Sequence, residues 1–393
     1  MHRLMSRGRA LLRSVDRRMR QLLLTPIMLR RTVWLEPDGE SGTDLHARVP
    51  ISGIGRIASS RFHDRHVISR RRLVEPSEVI SFVDDLAPQR VSFPTKARIL
   101  TVLRGVKVLA RHGIAVAPGL QLIPNTLVMH GKFADKLHRG KFTERVPTVR
   151  FDRPVAVLPF FGNHYINWRE SLTRIDALRE PEAASLPSLY VVYNDDFACG
   201  GDEVLRTILP ENCRLVRVPR KSLISAPIIL DLPQMEALAF GPEVVAGLRR
   251  TFAPILEKDM RTTGDVLYVR RSPRSAKRAP VNEAVLLPEL ERRGTRIVLL
   301  EDLPLRDQVR AFHEADVVVA QHGAGLSNLL VCRPGTAVLE VHSTPASIAR
   351  QHYRAIAASC GLRYSAVFGH APHVHAPTVL PVEEILAWID SRR

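Results

Sequence analysis

A histidine and two closely spaced glycines follow a short apolar segment in the last quarter of the chain, a combination suited to binding an anion. Residues 317–320 are mostly β-branched and lack a helical period, so they predict a buried strand. The turn His322-Gly323-Ala324-Gly325 comes next, and residues 326–331 can continue as a helix. A glycine-rich turn between a strand and a helix directs unpaired backbone N–H groups and the positive helix end to one point. We therefore predict a diphosphate site at this turn.

Three polar side chains accompany the turn. Residues 337–341 predict a second buried strand that carries Glu340 near its end, where a carboxylate is well placed to accept hydrogen bonds from ribose hydroxyls. His322 can bond a phosphate or the sugar, or it is a structural group beside the strand. Asn328 either joins the site or fixes the loop through side-chain-to-backbone bonds. A tight turn without any ligand is the alternative for the whole segment.

Two alternating series of strands and helices must position these residues. The first runs over about residues 155–218 and the second over about residues 244–389. Such alternation is typical of α/β units with parallel strands. The pattern of residues 91–146 is mixed and does not assign helices and strands in this segment. We therefore expect two α/β units, with the glycine turn in the second.

An ordered series of motifs between residues 267 and 342 carries a family resemblance. The turn and the helix read HGAGLSN, followed by RPG and a strand with its glutamate, and LYVRR, RAPVNE and a helix with Gln308 and Phe312 lie upstream. This series resembles the donor domain of glycosyltransferase family 61. In the N-terminal half the likeness is weaker, because residues 164–168 read HYINW where the family has N-x-x-H-W, with the asparagine and the histidine exchanged.

The resemblance implies a GT-B-like fold, in which two Rossmann-like domains face a cleft and a C-terminal helix crosses back to the first domain. It implies inverting sugar transfer from a nucleotide-sugar, a UDP-sugar by family tendency, with no metal and no cofactor. The acceptor would be a glycan or glycolipid precursor of a bacterial capsule or cell envelope. The corresponding divisions are residues 1–45 as a basic arm, 46–240 as the acceptor side, 241–372 as the donor domain and 373–393 as the terminal helix.

Two arginines are the candidates for the diphosphate, whose departure requires positive charge on the leaving group. Arg271 ends a predicted strand of the second unit, and Arg278 lies in the polar loop that follows. Arginine forms bidentate contacts with phosphate better than lysine does. The alternative for Arg278 is the solvated face of a basic loop.

Inversion requires a base on the face of the sugar opposite the leaving group, so the base should come from the first unit. His164, which opens a predicted helix, and Asp196, which follows a predicted strand, are the candidates. The segment 194–196 reads Asn-Asp-Asp, and a turn held by local side-chain bonds is its alternative interpretation.

The charge balance favours anionic partners. The chain has 57 Lys and Arg against 40 Asp and Glu, which gives 57 − 40 = +17. Nucleic acid, an anionic lipid surface and a phosphorylated substrate all fit this balance. Aromatic residues make up only 6% and lie mostly within apolar segments, which disfavours a nucleic-acid-binding protein. A dehydrogenase-like Rossmann enzyme is the other alternative, although no Gly-x-Gly-x-x-Gly follows an early strand.

The composition predicts a cytoplasmic protein. The four cysteines form no Cys-x-x-Cys pair, and no apolar segment approaches the ~20 residues that span a bilayer. Residues 3–29 can form a basic amphipathic helix of the kind that lies on the inner, anionic face of the membrane. An arm docked on the protein's own core and a disordered basic tail are the alternatives. We expect no signal peptide, because Thr25 and Pro26 interrupt its apolar part.

Overall fold

A computed structural model describes fifteen ranges of the chain. They are 33–34, 48–50, 67–74, 80–84, 87–93, 98–111, 113–117, 121–122, 145–160, 164–194, 200–233, 240–256, 265–272, 277–345 and 352–392. The helix predicted over residues 3–29 lies outside them. Within them, no helix combines the length and the apolar character that crossing a bilayer demands.

Strands and helices alternate through most of these ranges, so the predicted mixed α/β class is confirmed. The strands are β1 (Val33–Trp34), β2 (Arg48–Pro50), β3 (Val67–Val74), β4 (Ile80–Asp84), β5 (Ala87–Phe93), β6 (Arg98–Leu103), β7 (Lys107–Leu109), β8 (Ile114–Ala117), β9 (Gln121–Leu122), β10 (Arg145–Arg150), β11 (Val155–Leu158), β12 (Leu189–Asn194), β13 (Cys213–Val218), β14 (Leu223–Ser225), β15 (Ile229–Asp231), β16 (Val266–Arg270), β17 (Arg296–Leu299), β18 (Val317–Gln321), β19 (Ala337–His342) and β20 (Arg363–Phe368). The α-helices are α1 (His164–Glu170), α2 (Pro181–Ala184), α3 (Gly201–Ile208), α4 (Pro242–Leu256), α5 (Glu283–Arg292), α6 (Leu305–Glu314), α7 (His352–Cys360) and α8 (Val382–Asp390). The 3₁₀ helices are η1 (Leu172–Arg179), η2 (Leu300–Asp302) and η3 (Ala324–Val331).

The N-terminal half contains two larger sheets and a hairpin of β4 and β5. One sheet has the order β13-β12-β11-β15-β6-β3, and the other runs β1-β10-β14-β7-β8-β9 with β2 beside β10. In the first, β11, β12, β13 and β15 are parallel, whereas β6 and β3 are antiparallel to their neighbours. Apolar side chains from both sheets share one core cluster. Residues 91–146, whose strands and helices the sequence pattern did not predict, therefore contain β6 to β9.

The C-terminal sheet is parallel throughout, with the order β17-β16-β18-β19-β20. Its central strands are apolar along nearly their whole length because helices or other elements cover both faces. The chain passes from β16 outward to β17 and then returns to the other side of β16 as β18. In open α/β sheets, ligands bind outside the carboxyl ends of two strands at such a reversal. The carboxyl ends of β16 and β18 are therefore the place to look for a site.

The terminal helix α8 packs on this C-terminal sheet. Leu380, Ile385 and Ile389 join the cluster formed by α5 and the strands, and Arg293 Nε lies 2.9 Å from Asp390 Oδ1. The predicted return of this helix to the first unit is therefore wrong for the residues that the structure describes. Its buried apolar face already has a partner in α5.

One hydrophobic cluster runs through both halves. It includes side chains from β11, β12 and η1 on one side and from β16, β18 and η3 on the other, with α4 between them. On α4, Phe252 stacks on Trp168 of α1, with ring centroids 5.2 Å apart. The predicted division at residue 240 stays a prediction, and apolar packing crosses it.

Candidate active site

Arg271 lies at the reversal point of the C-terminal sheet. It directly follows β16, and His322 directly follows β18. Arg271 Nη1 donates to the His322 carbonyl at 3.2 Å and Nε donates to the Lys277 carbonyl at 2.8 Å. Burial lowers the pKa of the guanidinium, but Glu301 and Tyr353 act in the opposite direction. Two nitrogens thus fix the cation on the predicted turn, and no described residue hydrogen-bonds Nη2.

Gly323 is required for this contact. A Cβ at this position would lie 2.7 Å from Arg271 Nη1. Its φ of 176° is ordinary extended backbone, so the requirement is for space. A Cβ at Gly325 would lie 2.6 Å from Leu300 Cδ1, so the second glycine serves packing instead.

The turn leads into the 3₁₀ helix η3, where a continuing helix of unspecified type was predicted. The first N–H groups of a helix have no partner within it. Those of Gly323, Ala324 and Gly325 donate to no backbone carbonyl among the residues that the structure describes. The turn therefore has the donors that an anion requires.

Behind the turn, a buried hydrogen-bond network connects β18, β19 and β20. His322 Nδ1 donates to Glu340 Oε1, and Tyr364 Oη donates to Glu340 Oε2 at 2.6 Å. Glu340 is only 1% exposed, and both of its oxygens have partners. Burial raises the pKa of this carboxyl, but the hydrogen bond from His322, the charges of His342 and His322 and the hydrogen bond from Tyr364 together hold it below its usual value.

His342 extends the network. Its Nε2 lies 3.4 Å from Tyr364 Oη, and its ring stacks on that of His322 with centroids 5.3 Å apart. Burial lowers the pKa of His342. One donor atom each of His322, Glu340 and His342 lies within 4.8 Å of the others, a spacing that also occurs around metal ions. Within the cluster, His322 is in hydrogen-bond contact with Glu340, whereas His342 Nε2 lies 3.7 Å from Glu340 Oε2.

His164 connects the first unit to η3. The Trp168 indole N–H donates to His164 Nε2 at 2.9 Å, and Asn328 Oδ1 lies 3.1 Å from the same nitrogen. The two contacts need opposite protonation states of Nε2. Without a proton, Nε2 accepts from the indole N–H, which can only donate, and with a proton it donates to Asn328 Oδ1. Burial lowers the pKa of His164, while the bond to Asn328 acts in the opposite direction. Asn328 is 0% exposed, and its Nδ2 lies 3.5 Å from Gln308 Oε1, so its side chain joins η3 to α1 and α6. The two roles predicted for Asn328 stay predictions.

Arg278 lies in a loop that is pinned to the segment after β20. Its N–H donates to the His375 carbonyl at 3.0 Å, and the N–H of Thr378 donates to the Ala279 carbonyl at 2.9 Å. Among the described residues, Arg278 is the one non-glycine residue with positive φ, at 60°. Side chains rarely adopt this conformation without external restraint. The loop that carries the second predicted diphosphate arginine is therefore held in a defined shape.

The motif residues Asn282 and Glu283 join neighbouring segments of the C-terminal half. Asn282 makes no side-chain cap, and instead its side chain bonds the backbone of Leu380 in both directions, at 3.0 and 2.7 Å. Glu283 accepts from Arg270 at 2.7 Å and from Tyr268 at 3.2 Å. Asn282 therefore joins its loop to the segment after β20, and Glu283 joins α5 to β16.

The structure does not bring every predicted residue together. Arg271 and the turn 322–325 meet directly, Glu340 lies behind them, and His164 reaches the turn through Asn328. Asp196 lies outside the described residues. Asn194, just before it, is buried and clamps Phe160 through two backbone bonds of 3.2 and 2.8 Å. Tyr364 was missed because β20 was not predicted, and its isolated tyrosine gave no signal.

Comparisons with known proteins agree with this arrangement. The family model described as Glycosyltransferase 61 matches residues 82–339, more than half of the chain. A beta-1,2-xylosyltransferase of Arabidopsis thaliana is 33% identical over 87 residues, which is 22% of this chain and 16% of that protein. Beta-1,2-xylosyltransferase RCN11 of Oryza sativa subsp. japonica is 38% identical over 69 residues, 18% of this chain and 13% of that protein. The matched segments span less than a fifth of either relative. Since the family model covers most of the chain, including the reversal point and its turn, the protein belongs to glycosyltransferase family 61.

Proposed function

We propose that the protein is an inverting glycosyltransferase that takes its sugar from a nucleotide-sugar, most simply a UDP-sugar, bound at the reversal point of the C-terminal sheet. The observation that carries this proposal is the contact between Arg271 and the turn at His322 and Gly323. It combines a fixed cation with free backbone N–H groups at the edge where α/β sheets bind ligands. A diphosphate is the anion that matches both.

Leaving-group stabilisation without a metal follows from the same residues. When the bond to the anomeric carbon breaks, negative charge develops on the diphosphate, and preorganised donors lower the free energy of that state. Arg271 is held by two carbonyls, so it does not have to reorganise. Arg278 and the N–H groups of Gly323, Ala324 and Gly325 are our further candidates. The contact predicted between Glu340 and ribose stays a prediction, and a ribose hydroxyl would have to displace His322 or Tyr364 from the carboxylate.

The base that deprotonates the acceptor hydroxyl is proposed to come from the N-terminal half. His164 and Asp196 are the candidates. The bond from Trp168 to His164 Nε2 leaves the neutral ring protonated at Nδ1, which favours Asp196 for the base and a connecting role for His164. A GT-B arrangement of two α/β units is part of this proposal, with the acceptor bound between the base and the donor.

The acceptor is proposed to be a hydroxyl of a glycan or glycolipid precursor, in the bacterial case one for the capsule or cell envelope. The net charge of +17 suits a phosphorylated donor and an anionic lipid-linked acceptor, and it suits peripheral contact with the inner face of the cytoplasmic membrane. The names of the plant relatives add a xylosyl donor to the candidates.

A thermal-shift screen of UDP, GDP, CMP and their sugars tests the donor. UDP should raise the melting temperature of the full chain, because a ligand that binds only the folded state stabilises it. Calorimetry of Arg271→Gln should then give an affinity for UDP lower by about tenfold or more, the cost of a charged hydrogen bond. Arg292→Gln is the matched control, since Arg292 is 67% exposed and pairs with Glu289 on the same helix.

Transfer is then measured with the best donor. Product analysis should show inversion at the anomeric carbon, and EDTA should leave the rate largely unchanged. The proposal is wrong if no nucleotide stabilises the protein, or if Arg271→Gln binds UDP as tightly as the control does. Loss of transfer in EDTA with recovery in manganese would contradict the metal-independent part.

A further inference from the structure

We propose, on the basis of the function proposed above, that His322 donates a hydrogen bond from Nε2 to the β-phosphate of the leaving nucleoside diphosphate, and that Glu340 and Tyr364 are positioning residues for it. In this account Glu340 acts through His322 and does not contact the ribose. The network also gives a role to Tyr364, which the sequence did not single out.

The contacts of Glu340 show which group donates each hydrogen bond of the network. Tyr364 Oη donates to Oε2 at 2.6 Å, and the other oxygen, Oε1, accepts from His322 Nδ1. The carboxylate is 1% exposed and therefore has little access to solvent. Since a buried carboxylate requires donors for both oxygens, the tyrosine holds Glu340 in the one orientation that serves the histidine.

The bond at Nδ1 determines what the other nitrogen of His322 can do. A histidine whose Nδ1–H is bound to a carboxylate presents Nε2 to its second partner, with its ring orientation fixed. No described residue hydrogen-bonds this Nε2. His322 is at the same turn as Gly323, and its own carbonyl accepts from Arg271 at 3.2 Å. His322 therefore adjoins the point where the proposed diphosphate would lie, and its side chain is 8% exposed.

Charged and titratable groups contact the ring or its neighbours. Glu340, His342 and Tyr353 contact the ring itself. Arg271 bonds the His322 carbonyl, Tyr364 bonds Glu340, Arg354 lies over the Tyr364 ring, and Arg278 acts on His342. The carboxylate of Glu340 is the group in hydrogen-bond contact with the imidazole. It stabilises positive charge on the ring when Nε2 also carries a proton, as the aspartate does in a Ser-His-Asp triad.

The role of Nε2 is to stabilise the negative charge that forms on the leaving group. As the bond between the anomeric carbon and the β-phosphate oxygen breaks, its electron pair goes to that oxygen, which accepts the hydrogen bond from Nε2. The acceptor oxygen forms the new bond on the opposite face, and its proton goes to the base. His322 takes up a proton from solvent at Nε2 when the donor binds and keeps both ring protons during transfer, so it contributes electrostatic stabilisation and not acid catalysis.

Nuclear magnetic resonance of the histidine side chains tests the network in the absence of donor. The full chain is labelled with ¹⁵N-histidine, and the His322 signals are assigned by their loss in His322→Gln. Wild-type His322 should carry its proton on Nδ1 in a strongly hydrogen-bonded, downfield position. Glu340→Gln should move that signal, and addition of UDP should shift the Nε2 resonance. A His322 protonated on Nε2 alone would overturn the proposal.

Calorimetry with UMP and UDP separates the phosphate role from a ribose contact, because the two ligands share the ribose and only UDP has a β-phosphate. Glu340→Gln and Tyr364→Phe should each weaken UDP binding by about five- to tenfold, equivalent to one hydrogen bond, and leave UMP binding unchanged. The kcat for transfer should fall by a similar factor with less change in the KM of the donor.

Tyr268→Phe is the matched control, because Tyr268, on β16 of the same sheet, is also a buried tyrosine that donates to a glutamate, Glu283 of α5. It should lower the melting temperature as Tyr364→Phe does, without a change in the His322 signal or in UDP binding. Equal losses of UMP and UDP binding in Glu340→Gln would assign Glu340 to the ribose and overturn the inference. If UDP binds without shifting Nε2, only the inference fails. If no nucleotide binds to the wild type, the proposed function fails with it.

Discussion

At the scale of single residues, the lack of a side chain at Gly323 allows the Arg271 guanidinium to contact the turn. The missing side chain leaves room for Arg271 Nη1, which would lie 2.7 Å from a Cβ. The neighbouring glycine in the motif, Gly325, faces Leu300 and serves packing. Two glycines that look equivalent in the sequence therefore have different functions in the structure.

Gly323→Ala should separate binding from stability. Because the clash is with the end of a flexible side chain, the guanidinium should move away at a small cost in stability, and affinity for UDP should fall by about tenfold. Calorimetry and thermal unfolding measure the two effects. Gly335→Ala is the control, since Gly335 has a φ of 84° with open space around it. It should lose stability and retain UDP affinity, and the opposite pattern would contradict the assignment.

His164 gives a prediction about pH. Burial lowers the pKa of its imidazole below the ordinary value of 6.5. Below that pH the unfolded chain binds a proton that the folded protein does not, so the free energy of unfolding should fall as the pH falls, by at most about 1.4 kcal/mol per pH unit.

Urea unfolding at pH 7.5 and pH 5.5 measures this dependence. His164→Gln should reduce it, and His373→Gln, at an exposed position, should retain the wild-type dependence. Equal slopes for all three proteins would show that His164 titrates normally in the folded state.

At the scale of elements, the loop after β16 and the segment after β20 fix each other. The N–H of Arg278 donates to the His375 carbonyl, and that of Val281 donates to the Thr378 carbonyl at 2.9 Å. A Cβ at Gly369 would lie 2.6 Å from Thr378 Cγ2, so the segment can turn back only with glycine there. These bonds hold Arg278 in the left-handed region.

Arg278→Gly should therefore remove the cation without disturbing the loop. Glycine adopts positive φ freely, so the free energy of unfolding should stay within about 1 kcal/mol of the wild type. The affinity for UDP should fall by about fivefold, the value of one lost hydrogen bond. Calorimetry checks this, with Arg278→Lys as the variant that retains charge. If Arg278→Gly binds UDP normally, Arg278 belongs to the solvated face of the loop.

Helices and strands with a strong hydrophobic pattern were predictable from the sequence. Strands that are defined by pairing with residues distant in the chain were not. The strands predicted at 317–320 and 337–341 coincide with β18 and β19. The helix that His164 was predicted to open is divided into α1 and η1, where the Ser171 hydroxyl donates to the Pro159 carbonyl. The strand β20 was missed, because its half-exposed residues have a weak pattern and it pairs only with β19.

The site was predictable in the same uneven way. The types and spacing of Arg271, His322 and Gly323 indicated an anion site, and the structure brings them together. The burial of Glu340 and Asn328 could not be foreseen, since it depends on β20 and on contact with α1. Tyr364 joins the network through that same unpredicted strand.

At the scale of the whole molecule, a shared core joins the two halves. Helix α4 contributes apolar side chains to it, and Arg250 on the same helix pairs with Asp176 of η1 at 2.8 Å. On its other side, Arg249 donates to the Cys360 carbonyl of α7 at 3.3 Å. Apolar interfaces of this kind restrict relative motion of the parts that they join.

Unfolding should therefore be one transition. Differential scanning calorimetry should give a single peak. Phe252→Ala should move the whole peak to a lower temperature, because truncation of a buried phenylalanine lowers the free energy of unfolding by about 3–5 kcal/mol. Phe252 is 0% exposed and stacks on Trp168, so both halves lose contacts in this variant. Two separate peaks, of which only one moves, would contradict a shared core.

The position of α4 also limits how this protein can be engineered. A hybrid that joins the C-terminal half of this protein to the N-terminal half of a relative would cut the chain near residue 240, just before the helix begins at Pro242. The transplanted helix would then meet a foreign η1 and α1, and the foreign surface would have to accommodate Phe252 and Arg250. Exchange of donor specificity is therefore better attempted by changing the loops at the carboxyl edge of the sheet than by exchanging whole halves.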